Sequence, residues 1–261
     1  MLAYPQLTAS AVTQFPVQKN RTLRTVVNAL ADGSTIKLAD SLGEATGWQL
    51  QYTDLSDQEA AALEAFFEST EGSLDVFTFL DPVGNLLAWS DHLDHAEWTK
   101  APLLTIAGGI ADPAGGANGW HLANSGSAAQ SLTQILEAPG GYTYCLSVYA
   151  KSSVPATVVT LLNSSARFDC ALGTDWQRFT FSANGNASAD SVAFGIEVPA
   201  GGTFDVYGMQ VEPQTAASVY KPSTLGGVYP NAWFRDDSLA ITATDVNRHS
   251  ATVNIIHGIR L

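Results

Sequence analysis

Apolar and polar residues alternate in the first third of the chain in a way that predicts strands. Residues 48–52 (WQLQY) alternate strictly, which is typical of a strand with one buried face. Residues 74–80 form a second predicted strand, and the turn sequence DPVGN follows it at residues 81–85. Residues 1–55 as a whole are predicted to form strands and turns.

One helix is predicted between these strands. Ser56 and Glu59 have the spacing of a capping box, in which each side chain bonds the backbone N–H of the other residue. Residues 60–68 continue with strong helix formers, and Gly72 is a natural stop after them. The apolar face of this helix consists of Leu63, Phe66 and Phe67.

The second half of the chain is predicted to contain short strands separated by turns, without helical spacing between them. This pattern is typical of a β-sandwich or jelly roll. The predicted strands are residues 142–150, 157–162, 176–182, 192–198, 203–211, 238–244 and 251–256. The last two strands are too few to fold alone. We therefore predict a mainly β protein in which residues 1–85 and 224–261 form one β-domain with a short helix, and residues 86–223 form an inserted jelly-roll β-sandwich.

Composition narrows the classes of partner. The formal net charge is −13, with 12 Lys and Arg residues against 25 Asp and Glu residues. Nucleic-acid binding and attachment to an anionic membrane both need a basic surface, so the sequence disfavours them. Hydrophobic residues make up 46% of the chain, which excludes extensive disorder.

Cysteine usage and the N-terminus predict where the protein is made. Cys145 and Cys170 lie in strand-like segments and are predicted to be buried thiols in preference to a bridge. The N-terminus has no basic region followed by an apolar run, so we expect no secretory signal and synthesis in a cytoplasm.

No catalytic motif is found, and the sequence predicts a protein that is not an enzyme. His92 and His95 lack a third metal ligand at a recognisable spacing, so a solvated loop is favoured over a zinc site. No nucleophile elbow, P-loop or dinucleotide-binding motif is present. No cofactor is predicted, and Asp112 and Asp205 are the candidate ligands for a structural calcium ion.

Aromatic residues are the best candidates for binding, because the C–H faces of sugar rings stack on them. Most of the aromatic residues in the inserted segment are expected to fill its core. Trp120 is the best candidate for a surface platform because its neighbours have loop-like sequences. The predicted sugar-binding residues are Trp120, His121 and Trp98.

Two stretches resemble segments of phage tail proteins. Residues 48–85, with the predicted helix followed by FTFLDPVGN at residues 77–85, resemble the β-domain of distal tail and minor tail proteins. Residues 85–90 (NLLAWS), 142–151, 176–181 and 207–212 resemble sandwich modules of tail and tail-fibre proteins. The closing segment at residues 216–223 is similar to the "T-x-Y-x-P-T" end of such modules, with departures at Ser218, Lys221 and Ser223.

The resemblance implies a structural protein of the virion tail tip, a distal tail or baseplate hub protein. It implies a ring of copies, expected to be a hexamer, with the tail tube protein and the hub or tip proteins as partners. The jelly roll would project outward, either to bind a cell-surface glycan or to act as a spacer, and both interpretations stay open. Two alternatives are an adhesin or tail-fibre module without a ring, and a glycan-cleaving enzyme with two carboxylates within about 10 Å of each other.

Overall fold

A computed structural model describes residues 1–154, 157–164 and 166–258 of the chain. It confirms a mainly β protein with one short helix. No helix in these ranges is long and apolar enough to cross a membrane. The elements in chain order are β1 (Val17–Ala29), β2 (Thr35–Leu55), α1 (Asp57–Ser69), β3 (Phe77–Leu80), β4 (Thr99–Lys100), β5 (Leu104–Ile110), β6 (Gly119–Asn124), β7 (Gln130–Leu136), β8 (Thr143–Lys151), β9 (Val158–Asn163), β10 (Ala166–Ala171), β11 (Gln177–Asn184), β12 (Val192–Val198), β13 (Thr203–Glu212), β14 (Val228–Phe234), β15 (Ile241–Asp245) and β16 (Arg248–Gly258).

The chain divides into two compact units. The sheet unit contains residues 2–8, 12–79 and the chain from Tyr229 onward. The sandwich unit contains Leu80–Val228 together with residues 1 and 9–11. The sequence analysis placed its domain divisions at residues 85/86 and 223/224, which are six and five residues inside these limits.

The sheet unit is one sheet around an aromatic core, and its β1, β2, β14, β15 and β16 pair in antiparallel fashion. The strand order is β1-β2-β16-β14-β3, and β15 pairs with β16 beside this path. The alternation in residues 48–52 turns the apolar side chains inward, so that Trp48, Leu50 and Tyr52 are all buried. The Tyr52 and Tyr4 hydroxyls bond each other at 2.8 Å, and burial raises the pKa of Tyr52 to about 12.

The helix of the sheet unit begins as its sequence predicts. The Ser56 hydroxyl accepts from the Glu59 N–H at 3.3 Å, and Glu59 Oε2 accepts from the Ser56 N–H at 3.0 Å. The capping box is therefore confirmed. Leu63 is buried, and Phe66 and Phe67 pack against the core from one face of the helix.

A long two-stranded hairpin was not predicted. Within the described residues, β2 pairs with β16 between Ala45 and Leu55. β1 pairs with β2 along almost the whole length of β1, from Val17 to Ala29. The hairpin therefore extends beyond the sheet, and we call residues 20–44 the arm. The alternating segment that the sequence analysis found, residues 48–52, lies in the part of this hairpin inside the sheet and outside the arm.

The sandwich unit has two five-stranded sheets. Sheet I has the order β10-β9-β12-β7-β4, and sheet II has the order β11-β8-β13-β6-β5. One hydrophobic core lies between them and includes Leu132, Val148, Phe194, Phe204 and Val206. The predicted strands of this region are present, whereas β4, β5, β6, β7 and β10 were not recognised in the sequence.

Both cysteines lie in the sandwich unit as free, buried thiols, as predicted. Burial raises the pKa of Cys145, and it raises the pKa of Cys170 to about 11. Because the thiolate is the reactive form, burial and a raised pKa make both thiols poor nucleophiles at neutral pH.

The sheet unit is expected to lose stability on acidification through His257. Burial lowers the pKa of this imidazole, whose ring centroid lies 5.0 Å from that of Tyr229. Between this lowered pKa and the ordinary value near 6.5, the unfolded chain binds more protons than the folded one, so stability falls as pH falls. We expect His257→Gln to reduce the loss of thermal stability between pH 7.5 and pH 5.5. His92→Gln, at an exposed position, is the control and should leave that loss unchanged.

Candidate functional site

The outer face of sheet II gathers polar and aromatic side chains from strands that are far apart in sequence. Strand alternation sends Val148, Phe204 and Leu122 into the core, so their chain neighbours point outward. Asp205 lies opposite Lys151 on β8 and opposite His121 on β6. The outward set consists of Tyr149, Lys151, Tyr207, Asp205, His121 and Arg178.

Four polar side chains at the centre of this face hold one another in place. His121 Nδ1 lies 2.7 Å from Asp205 Oδ1, and His121 Nε2 lies 2.9 Å from Thr203 Oγ1. Lys151 Nζ lies 3.9 Å from Asp205 Oδ2. The His121 side chain remains 45% exposed, so it can still meet a ligand.

These side chains line an open groove of about 270 Å³. Ile110 supplies apolar surface in the groove, and Ser153 and Thr174 supply further hydroxyl groups. The groove therefore combines apolar walls with a few converging polar groups, which is the usual composition of a small-ligand site.

Trp176 stands beside the groove, immediately before β11. Its ring centroid is 4.8 Å from Lys151 Nζ, which is a cation–π contact. The indole N–H donates to the Ala111 carbonyl at 3.2 Å, which fixes the ring although the residue is partly exposed. Trp176 is thus a rigid aromatic surface next to the polar centre.

Two tyrosines and an arginine that lies near one of their rings extend this surface along the sheet. The rings of Tyr149 and Tyr207 have centroids 5.9 Å apart, and both residues are partly exposed. The Arg178 guanidinium lies 5.4 Å from the Tyr149 ring centroid. Burial raises the pKa of Tyr207, so its hydroxyl stays protonated at neutral pH and can donate a hydrogen bond.

Two of the three predicted sugar-binding residues do not reach the surface. Trp98 is 5% exposed and Trp120 is 9% exposed. Their indole N–H groups donate to the Trp89 and Asp91 carbonyls at 3.1 and 3.0 Å. The surface-platform interpretation of these two residues is therefore corrected: both belong to the sandwich core.

The alternation of side chains along a strand explains why Trp120 is buried. The stretch around Trp120 has a loop-like composition, but it is β6, in which neighbouring residues point to opposite faces. Trp120 points into the core and His121 points into the groove. Of the predicted set, only His121 lines the candidate site. Trp176 was missed as a platform, although its place at the start of a predicted strand, beside a turn, was visible in the sequence.

Three of the residues considered for metal binding, His95, Asp112 and Asp205, make other contacts. His92 is exposed, and the His95 ring stacks on Trp89 with centroids 4.0 Å apart. Asp112 accepts backbone N–H groups of Asn118, Gly116 and Ala114 at 2.8–3.0 Å, and these bonds lower the pKa of its carboxyl group. Within residues 1–154, 157–164 and 166–258, no three His, Cys, Asp or Glu side chains cluster as a metal site would require.

Comparisons with known proteins give structural neighbours only. No protein-family model matches the sequence, and no curated protein matches it. The C-terminal family 22 carbohydrate-binding module of the Clostridium thermocellum xylanase aligns with 53% of this chain and 99% of its own, at 14% identity and a TM-score of 0.41. A family 61 module solved with β-1,4-galactotriose aligns with 49% of this chain and 97% of its own, at 12% identity and a TM-score of 0.38.

A phage protein is also among the neighbours. The enzymatically active domain of tailspike protein 4 from bacteriophage CBA120 aligns with 51% of this chain, at 14% identity and a TM-score of 0.38. The aligned part is 22% of that tailspike chain. At such identities these likenesses concern the fold, and they say nothing of what this chain binds or cleaves.

Proposed function

We propose that the sandwich unit binds a glycan in the groove on the outer face of sheet II, without cleaving it. The observation that carries this proposal is the pairing of Trp176 with the bonded group of His121, Asp205 and Lys151. A sugar ring presents C–H groups on its faces and hydroxyl groups around its edge. It can therefore stack on an indole while its hydroxyl groups bond polar side chains.

The groove is suited to this task because its polar groups are already in position. Asp205 is held by His121 at 2.7 Å and by Lys151 at 3.9 Å, so little side-chain freedom would be lost on binding. His121 and Thr203 can each donate or accept, Lys151 donates and Asp205 accepts. Sugar hydroxyl groups, which also do both, find matching partners along this line.

The proposal predicts that Trp176→Ala weakens glycan binding about 30-fold and leaves folding intact. Loss of a central aromatic contact in a binding site typically costs about 2 kcal/mol, which corresponds to that factor. The full chain would be screened on an array of oligosaccharides, and the best ligand would be titrated by calorimetry. Incubation of the same ligand with the protein, followed by chromatography, would show whether it is cleaved.

Phe168→Ala is the matched control for this variant. Phe168 is an aromatic residue on the edge strand β10 of the other sheet and is 47% exposed. The Phe168→Ala variant should bind the ligand with the affinity of the unmodified protein. Equal weakening by both variants, or no weakening by Trp176→Ala, would place the binding site elsewhere.

As a second function, we propose that the sheet unit builds a ring in a phage-type tail tip, as the sequence resemblance implies. The arm supports this proposal, because it is a long surface hairpin with several exposed apolar side chains. Its partners would be further copies, the tail tube protein and the hub proteins. A ring would present several sandwich units together, which would strengthen a weak glycan contact through multivalency. Light scattering with negative-stain images should show rings, and a monomer at every concentration would contradict this role.

A further inference from the structure

Within the described residues, the arm lacks the covering that a sheet normally has. Its β2 half, residues 35–44, pairs there with β1, and the pairs between β2 and the described part of β16 begin at Ala45. Isolated two-stranded hairpins are marginally stable in water. Of the nineteen large apolar residues that are exposed in the described chain, seven lie in these 25 residues. They are Leu23, Val26, Val27, Leu30, Ile36, Leu38 and Leu42.

The two faces of the arm both carry exposed apolar side chains among polar ones, but the apolar side chains differ in size. Residues directly opposite each other in an antiparallel pair share a face. Val26 lies opposite Leu38, and Ile36 belongs to the same face through its partner Asn28; we call this the large face, and the ion pair of Arg24 with Asp40 lies at its end nearer the sheet. The opposite face carries Val27, Ala29 and Ala39, with Thr25, Thr35 and Lys37 among them; we call it the small face.

The arm is electrically neutral within a strongly acidic chain. Residues 20–44 contain three basic and three acidic residues, so the whole net charge of −13 lies outside the arm. Two cross-strand ion pairs, Arg21 with Glu44 and Arg24 with Asp40, neutralise most of its charge internally. A strongly basic partner would therefore be drawn to other parts of this protein. In a second copy, the part of the surface that is likewise neutral and rich in exposed apolar side chains is its arm, so the arm of that copy is the matching partner.

We infer that the arms of neighbouring copies stack, with the large face of one arm packed on the small face of the next. Large side chains against alanine and threonine allow two ribbons to approach closely. Because each face of the arm carries exposed apolar side chains, one neighbour would leave one set uncovered, whereas two neighbours cover both. Such a contact joins two different surfaces, so it repeats around a ring or along a filament.

This inference rests on the proposed ring-building role and goes beyond it by naming the two surfaces that meet. It is independent of glycan binding, because the groove lies in the sandwich unit. Covering several leucine, isoleucine and valine side chains supplies the hydrophobic driving force for association.

Two matched variants of the full chain test the inference. Leu38→Glu places a carboxylate on the large face, and Ala39→Glu places the same group on the small face one residue later. Each variant alone should associate at least ~100-fold more weakly than the unmodified protein, because a carboxylate would have to be buried. A mixture of the two should form 1:1 dimers, since one intact large face then meets one intact small face. Light scattering on a sizing column measures all three samples.

Val246→Glu is the control, because Val246 is 89% exposed and lies outside the arm. It should assemble like the unmodified protein, and all variants should show the same thermal unfolding. If assemblies form but both arm variants keep them, the arm inference fails while the ring-building role stands. If the unmodified protein never assembles, both fail. Dimers of Ala39→Glu alone, or a mixture that stays monomeric, would overturn the large-on-small packing.

Discussion

Trp120→Ala is expected to lower the free energy of unfolding of the sandwich unit by about 3–5 kcal/mol, which is typical for the loss of a buried aromatic side chain. Trp120 is 9% exposed and belongs to the hydrophobic core between the two sheets. Its ring packs so closely on β5 that a Cβ added to Gly108 would lie 3.2 Å from it. Removing the indole would leave a cavity and would free the Asp91 carbonyl, which accepts its N–H at 3.0 Å.

Chemical denaturation followed by circular dichroism measures this change. Trp176→Ala is the control, because Trp176 is partly exposed and lies outside the core cluster. We expect that substitution to cost less than about 1 kcal/mol, as partly exposed positions usually do. Equal effects of the two substitutions would contradict the assignment of Trp120 to the core and Trp176 to the binding surface.

Asn85→Ala is expected to destabilise the sandwich unit by about 3 kcal/mol, because it leaves several buried backbone groups without a partner. The Asn85 Nδ2 group donates to the Met209 and Lys221 carbonyls at 2.9 and 3.3 Å. Its Oδ1 accepts the N–H groups of Leu87 and Val211 at 3.1 and 3.0 Å. One side chain therefore ties the first residues of the unit to β13 and to the segment that closes it.

Asn85→Asp separates the two halves of this interaction, since the carboxylate keeps the acceptor and loses the donor. We expect it to be destabilised as well, because the Met209 and Lys221 carbonyls would face a negative charge. The exposed residue Asn184 provides the control, and Asn184→Ala should change thermal unfolding little. If Asn85→Ala unfolds like the unmodified protein, this side chain does not hold the segments together.

Local signals in the sequence predicted the elements that local interactions determine. The capping box of Ser56 and Glu59 marked the start of α1, because both bonds form within four residues. Strict alternation at residues 48–52 identified the buried part of β2, since one face of that segment packs on the core.

Elements without a one-sided apolar pattern escaped prediction. The arm mixes apolar and polar residues on both faces and is exposed on both, so it shows no alternation of the kind that a buried face produces. β6 lies in a stretch rich in glycine, alanine, asparagine and serine, which resembles a loop. A shift of one residue in strand phase exchanges core and surface, and this is why Trp120 and His121 could not be told apart.

The candidate site depends on long-range pairing, which no local pattern encodes. His121, Lys151 and Asp205 come from β6, β8 and β13, and they meet only because β13 lies between the other two strands. The sequence indicated that the inserted domain was a sandwich and that aromatic residues were the candidates for stacking. It could not show which of its tryptophans faced the solvent.

Nuclear magnetic resonance of the six indole N–H groups tests the central claim most directly. The full chain, labelled with ¹⁵N, would be titrated with the oligosaccharide that binds best on the array. We predict a saturable shift of the Trp176 indole signal, while the signals of the buried Trp98 and Trp120 stay in place. A saturable shift of other indole signals with Trp176 unmoved, or no saturable shift with any oligosaccharide tested, would contradict glycan binding in this groove.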